Sequence, residues 1–143
     1  MITIKSLTSL EQSKKLAEFL PIESADMHWQ YIEEDNGQLQ WFYLPKDFSI
    51  NENESIPAWS LSVLLKLLPS EFEETGSFGT FKYKIDIRKY KSTDEMDVYQ
   101  IAYGNYLIGN SMGWKDMINT GWREDLLDAA FETILKLNEL NLL

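Results

Sequence analysis

Apolar and polar positions change period several times along the chain, and each change marks an element. Leu10, Leu16, Ala17, Phe19 and Leu20 recur at helical spacing. Thr8 stands before them with Glu11 three residues on, the capping-box pattern that satisfies two free donors at a helix start, and Pro21 stops the helix. From His28 to Leu44 the pattern reads as a hairpin around Asp35-Asn36-Gly37-Gln38, where Asn and Gly both accept the positive φ of a type I′ turn. Such a turn pairs Glu34 with Leu39, Ile32 with Trp41, Tyr31 with Phe42 and Trp29 with Leu44. Alternation then puts Trp29, Tyr31, Phe42 and Leu44 on one face, and Ile32, Leu39, Trp41 and Tyr43 on the other. Both faces carry apolar bulk, so the hairpin is either covered on both sides or exposes Trp and Tyr.

Pro45 to Ser55 reads as a polar, acidic loop. A second helix is expected from Pro57, a residue suited to a first helical position, up to Pro69. It is apolar nearly all round, which marks a central element. The stretch with Glu71, Glu73, Glu74, Gly76 and Gly79 reads as a loop. After it Phe81, Tyr83, Ile85 and Ile87 alternate with Lys82, Lys84, Asp86 and Arg88, the clearest strand in the chain. Ser92 to Glu95 turns it back into a fourth strand from Val98 to Tyr103. The glycine-containing segment from Gly104 to Gly121 is irregular, with room for a short fifth strand near Tyr106 to Ile108. A last helix is expected over Arg123 to Leu140, with Leu127, Ala130, Phe131, Ile134 and Leu137 at its apolar positions. The expected fold is α+β: an antiparallel sheet of two hairpins packed with three helices, in the order α-β-β-α-β-β-α. No repeat or linker interrupts residues 1–143, which predicts a single domain.

Composition narrows the chemistry more than the architecture. The chain has no cysteine, which removes disulfides, thiolate zinc sites, Cys nucleophiles and iron–sulfur clusters. Thirteen Lys and Arg against 23 Asp and Glu leave a net charge of −10, a mean field that repels nucleic acid and anionic membranes. Five Trp, seven Tyr and seven Phe supply ample area for a core. The longest apolar-rich run, Ala58 to Leu68, is too short to span a bilayer, which needs about 20 residues. No basic stretch followed by an apolar run opens the sequence, so no secretory signal is expected, and a cytoplasmic location is the default.

His28 is the only histidine, so triads and His-based metal sites that need more than one cannot be assembled. A lone His can act as a general base, and Asp26 two residues away would share its face in a strand, making the two a weak catalytic pair. Glu124, Asp128 and Glu132 fall on one helix face, but negative charge near a helix start is stabilising on its own account. No metal site and no cofactor is expected. Gly104, Gly109 and Gly113 lack the Lys-Ser/Thr of a phosphate loop. Lys82, Lys84 and Arg88, with Lys89 and Lys91, form the one basic stripe, a weak candidate for nucleic-acid contact. Tyr83 points away from these lysines and offers bases no stacking platform.

Leu7-Thr8-Ser9-Leu10-Glu11-Gln12, Ala25-Asp26-Met27, Pro57-Ala58-Trp59-Ser60-Leu61 and Asp128-Ala129-Ala130-Phe131-Glu132 occur in this order. In these segments the chain resembles a group of small uncharacterised proteins encoded by gut bacteria, their prophages and other mobile elements. The resemblance implies a phage-related accessory protein acting in the host cytoplasm and carries no activity, ligand or site residue. The reading reached is a non-enzymatic protein that binds a protein partner. Its contact surface would be the first hairpin, through Trp29, Tyr31, Trp41 and Tyr43 with the acidic neighbours Glu33, Glu34 and Asp35. Two alternatives stay open: an acidic inhibitor that imitates nucleic acid to occupy a host protein, and a small hydrolase or lyase using Asp26 and His28.

Overall fold

The computed structural model describes residues 5–33, 35–45, 55–77, 79–106 and 113–143. Among the described residues it is α+β, with three α-helices and two antiparallel sheets of three and four strands. The expected single sheet of two hairpins is thus corrected to two sheets, and the order to α-β-β-β-α-β-β-β-β-α. The chain groups into two compact units, Met1–Leu65 and Lys66–Leu143.

In the first unit, helix α1 covers Leu10–Leu16 and is followed by a 3-10 turn at Ile22–Ser24. The capping box lies one residue later than the Thr8 and Glu11 pairing: Ser9 Oγ accepts from Gln12 N at 3.2 Å, and Gln12 Oε1 accepts from Ser9 N at 3.0 Å. Thr8 is engaged elsewhere. Its hydroxyl accepts from Trp59 N at 3.1 Å and meets Ser13 Oγ at 2.7 Å, while Thr8 N donates to Trp59 O at 2.9 Å. The helix ends short of Leu20 because Glu18 and Phe19 N–H groups turn back to the carbonyls three residues earlier, tightening the chain before Pro21.

Strands β1 (Met27–Glu33), β2 (Leu39–Pro45) and β3 (Ser55–Ala58) form the first sheet in the order β2-β1-β3. The hairpin is present, but its register differs by one residue from that of a two-residue turn. Tyr31 pairs with Trp41 and Trp29 with Tyr43. A type I′ turn needs positive φ at both central residues, and here Gly37 alone of the pair adopts it, at 81°. Asn36 instead uses its side chain, Oδ1 accepting from Gln38 N at 3.0 Å. The connection is longer, and the slip moves every β2 side chain to the opposite face.

Pro57 is not a helix start. It sits in β3 opposite His28, at the sheet edge, where a missing N–H costs no ladder bond. Helix α2 begins at Leu61 and runs to Leu67, its start tied down by Asp26 Oδ1, which accepts from Ser60 N at 2.8 Å. Trp59 is fully buried, its indole N–H donating to Ser24 Oγ at 2.9 Å, and it anchors the core of this unit.

In the second unit, β4 (Glu71–Gly76), β5 (Gly79–Lys91), β6 (Asp97–Tyr106) and β7 (Trp114–Asn119) follow one another in the sheet in chain order. The acidic stretch read as a loop is therefore strand β4. Its glutamates answer the lysines of β5: Glu71 pairs in register with Lys84, and Glu73 with Lys82 at 3.6 Å. Phe72 packs on Tyr83 and Tyr103, with ring centroids 5.1 and 5.3 Å away. The turn between β5 and β6 falls where expected, with Ser92 N donating to Met96 O at 2.8 Å. A further strand exists beyond β6, but it is β7; the stretch 107–112, which includes Ile108 and Gly109, lies outside the described residues, as does the acidic loop 46–54.

Gly104 shows why β6 and β7 lie so close. A Cβ there would fall 2.7 Å from the Trp114 indole nitrogen and run into the Lys115 carbonyl. Helix α3 (Leu126–Glu139) starts on Asp125, whose Oδ1 accepts from Leu127 N at 3.0 Å, and packs on β6. Leu127, Ala130, Phe131, Ile134 and Leu137 of α3 are buried, as are Ile101, Tyr103 and Ile118 of the sheet.

Candidate functional site

The one-residue slip in the hairpin decides which aromatics stand together. Trp29 and Tyr31 of β1 share a face with Trp41 and Tyr43 of β2, so Phe42 and Leu44 lie on the other side. The four rings form two cross-strand pairs: Trp29 with Tyr43 edge to face at 5.5 Å, and Tyr31 with Trp41 tilted at 5.1 Å. Ile56 of β3, opposite Trp29, extends this face across the sheet. The Trp29 indole donates to Thr8 O at 3.1 Å and is bound into the fold. Tyr43, by contrast, is 56% exposed, while Trp29, Tyr31 and Trp41 are half-buried. A face of this kind offers rigid, amphipathic contact area with little rotamer entropy to lose. Among its acidic neighbours Asp35 is exposed at the hairpin tip; Glu34 and the side chain of Glu33 lie outside the described residues.

No hydrogen bond joins Asp26 to His28 among the described residues. Asp26 precedes β1 and spends Oδ1 on Ser60 N. His28 lies in the central strand between Leu44 and Pro57, 6% exposed, and its Nε2 is buried with no hydrogen-bond partner. Among the described residues no group of three or more His, Asp and Glu side chains is placed to hold a metal ion. Asp125, beside the Glu124, Asp128 and Glu132 face, serves as the N-cap of α3.

Part of the basic stripe is matched within its own sheet, while Lys84 and Lys91 are exposed without an ion pair among the described residues. Lys82 stands by Glu73 and Lys89 by Asp97, both at 3.6 Å. Arg88 is the hub of a polar network on the sheet face away from Tyr83. Its Nη1 and Nη2 grip Asp116 at 2.9 and 2.7 Å, Nη1 also reaches Gln100 Oε1 at 2.8 Å, and Nε donates to Asp86 at 2.7 Å. Asp116 further accepts from the Trp114 indole at 2.7 Å and from Asn119 at 2.8 Å. The Arg88 guanidinium, with these donors, holds the Asp116 carboxyl down at about 2, and Asp116 raises Arg88 above its already high value. Sequence reasoning missed Asp116 and Gln100 as partners of Arg88, and Trp114 and Asn119 as donors to Asp116. A glycine inside a strand, at Gly104, was the available signal of a close approach there.

Comparison with family models, with curated proteins and with solved structures finds no match. Among the described residues no helix is long and apolar enough to cross a membrane.

Proposed function

We propose that the protein is a non-enzymatic binding protein whose contact surface is the aromatic face of the first hairpin, and that its partner is another protein. The observation that carries this reading is the pair of cross-strand ring contacts on one face with Tyr43 more than half exposed at its margin. Aromatic clusters of this kind dominate the energetics of protein interfaces, where a few rings supply most of the affinity. Exposed Asp35 and the acidic residues that precede it in the sequence favour a partner with basic residues around an apolar centre. The wider setting, an accessory protein of a mobile element or prophage working in the host cytoplasm, rests on the resemblance of the segments quoted above.

Tyr43→Ala is the discriminating variant, because Tyr43 holds little buried area, whereas Trp29 is hydrogen-bonded into the fold. Capture of a stoichiometric, nuclease-resistant protein partner by the wild type, lost in Tyr43→Ala with circular dichroism unchanged, supports the reading. Capture that is indifferent to Tyr43 and to Trp41 overturns it.

A further inference from the structure

The second unit holds a cleft of about 280 Å3, near the lower end of the range for small-molecule sites, about 300 Å3. Its aromatic surface comes from Phe72 and Tyr83, and its apolar rim from Met117, Leu140 and Leu142. Met117 and Leu140 are 48% and 45% exposed, so apolar area stands open to solvent around the mouth. Of the two acidic residues along the lining, Glu74 shares the face of Phe72 and Tyr83, whereas the Glu73 carboxylate turns to Lys82 on the other face, and no basic residue lines the cleft among the described residues. Glu74 Oε2 accepts from the Tyr83 hydroxyl at 3.1 Å, while Oε1 has no partner among the described residues. Burial, and then the Glu74 carboxylate, push the Tyr83 phenol above its ordinary value, so it remains a donor that fixes Glu74 at the cleft. Glu73 is matched only by Lys82, at 3.6 Å with both side chains more than half exposed, a contact worth little in water.

We propose that this cleft binds a small organic ammonium ion, with its ring or short alkyl body against Phe72, Tyr83 and the leucines and its charged nitrogen at Glu74. Apolar area alone would select for a neutral ligand, but a carboxylate held beside two aromatic rings favours a cation over a neutral isostere. An anion would meet the Glu74 carboxylate on a chain of net charge −10. The site stands in the second unit, and the proposal does not depend on the hairpin reading.

Phenethylammonium, phenethyl alcohol and phenylacetate, titrated into methyl-labelled protein by NMR, test it. Saturable shifts are expected at the Met117, Leu140 and Leu142 methyls with the ammonium, about tenfold weaker affinity for the alcohol, and no binding of the carboxylate. Glu74→Gln should bring the ammonium down to the affinity of the alcohol while the other methyl signals stay in place. Met117→Lys, at an exposed position, should abolish binding by supplying a competing cation. Equal affinity for ammonium and alcohol, binding indifferent to Glu74→Gln, or no saturable shift at these methyls overturns the proposal.

Discussion

Arg88 donates to four acceptor oxygens, two on Asp116 and one each on Asp86 and Gln100, with only about a quarter of its side chain exposed. A guanidinium so placed is stable only while its carboxylates stay charged. Asp116 has its folded value depressed from 3.8 to about 2, so its contribution is present above about pH 4 and is lost as pH falls toward 2. Asp116→Asn should therefore cost about 2 kcal/mol near neutral pH, and the gap from wild type should close in acid. Urea unfolding near pH 7 and near pH 2.5 measures this; a gap that stays constant would contradict it. Gly104 carries a second residue-scale expectation. Gly104→Ala should destabilise by about 1–3 kcal/mol, since the added methyl meets the Trp114 indole and a backbone carbonyl that cannot both withdraw. Unfolding curves superimposable on wild type would rule out the close approach.

At the scale of elements, the hairpin shows how one dihedral angle settles the chemistry of a face. Asn36-Gly37 was legible as a turn, and Trp29, Tyr31, Trp41 and Tyr43 were legible as candidates, but their grouping was not. Whether Asn36 enters the left-handed region or caps the turn with its side chain depends on energies too small to read from a dipeptide. The register with Tyr31 opposite Trp41 predicts ring-to-ring NOEs for Tyr31–Trp41 and Trp29–Tyr43, and none for Tyr31–Phe42. The reverse set of contacts would restore the two-residue turn and dissolve the aromatic face. Elsewhere, the strand at β5, the turn at Ser92 and the buried apolar positions of α3 match the sequence expectation, whereas α3 begins at Leu126, three residues after Arg123, and Ile87 of β5 is exposed. The strands that escaped detection needed partners to be recognised. β4 is a run of glutamates that makes sense only beside the lysines of β5, and β3 carries a proline that locally resembles a helix start. The Phe72–Glu74 cleft wall went unseen for the same reason.

At the scale of the molecule, the excess of ten negative charges stands beside a basic stripe that is partly paired within its own sheet. Lys82, Arg88 and Lys89 stand within 4 Å of carboxylates on neighbouring strands or their own. This arrangement sets the two binding readings apart. An interface centred on Trp41 and Tyr43 should lose little affinity as salt rises, because apolar burial is not screened. An acidic surface that imitates nucleic acid should weaken steeply and be displaced by DNA. The most direct test is a paired capture from nuclease-treated host lysate at low and moderate salt, using wild type and Tyr43→Ala. The account predicts one stoichiometric protein partner, retained across the salt change and lost in the variant. A partner held equally well by both proteins, or one released by salt alone, would contradict it.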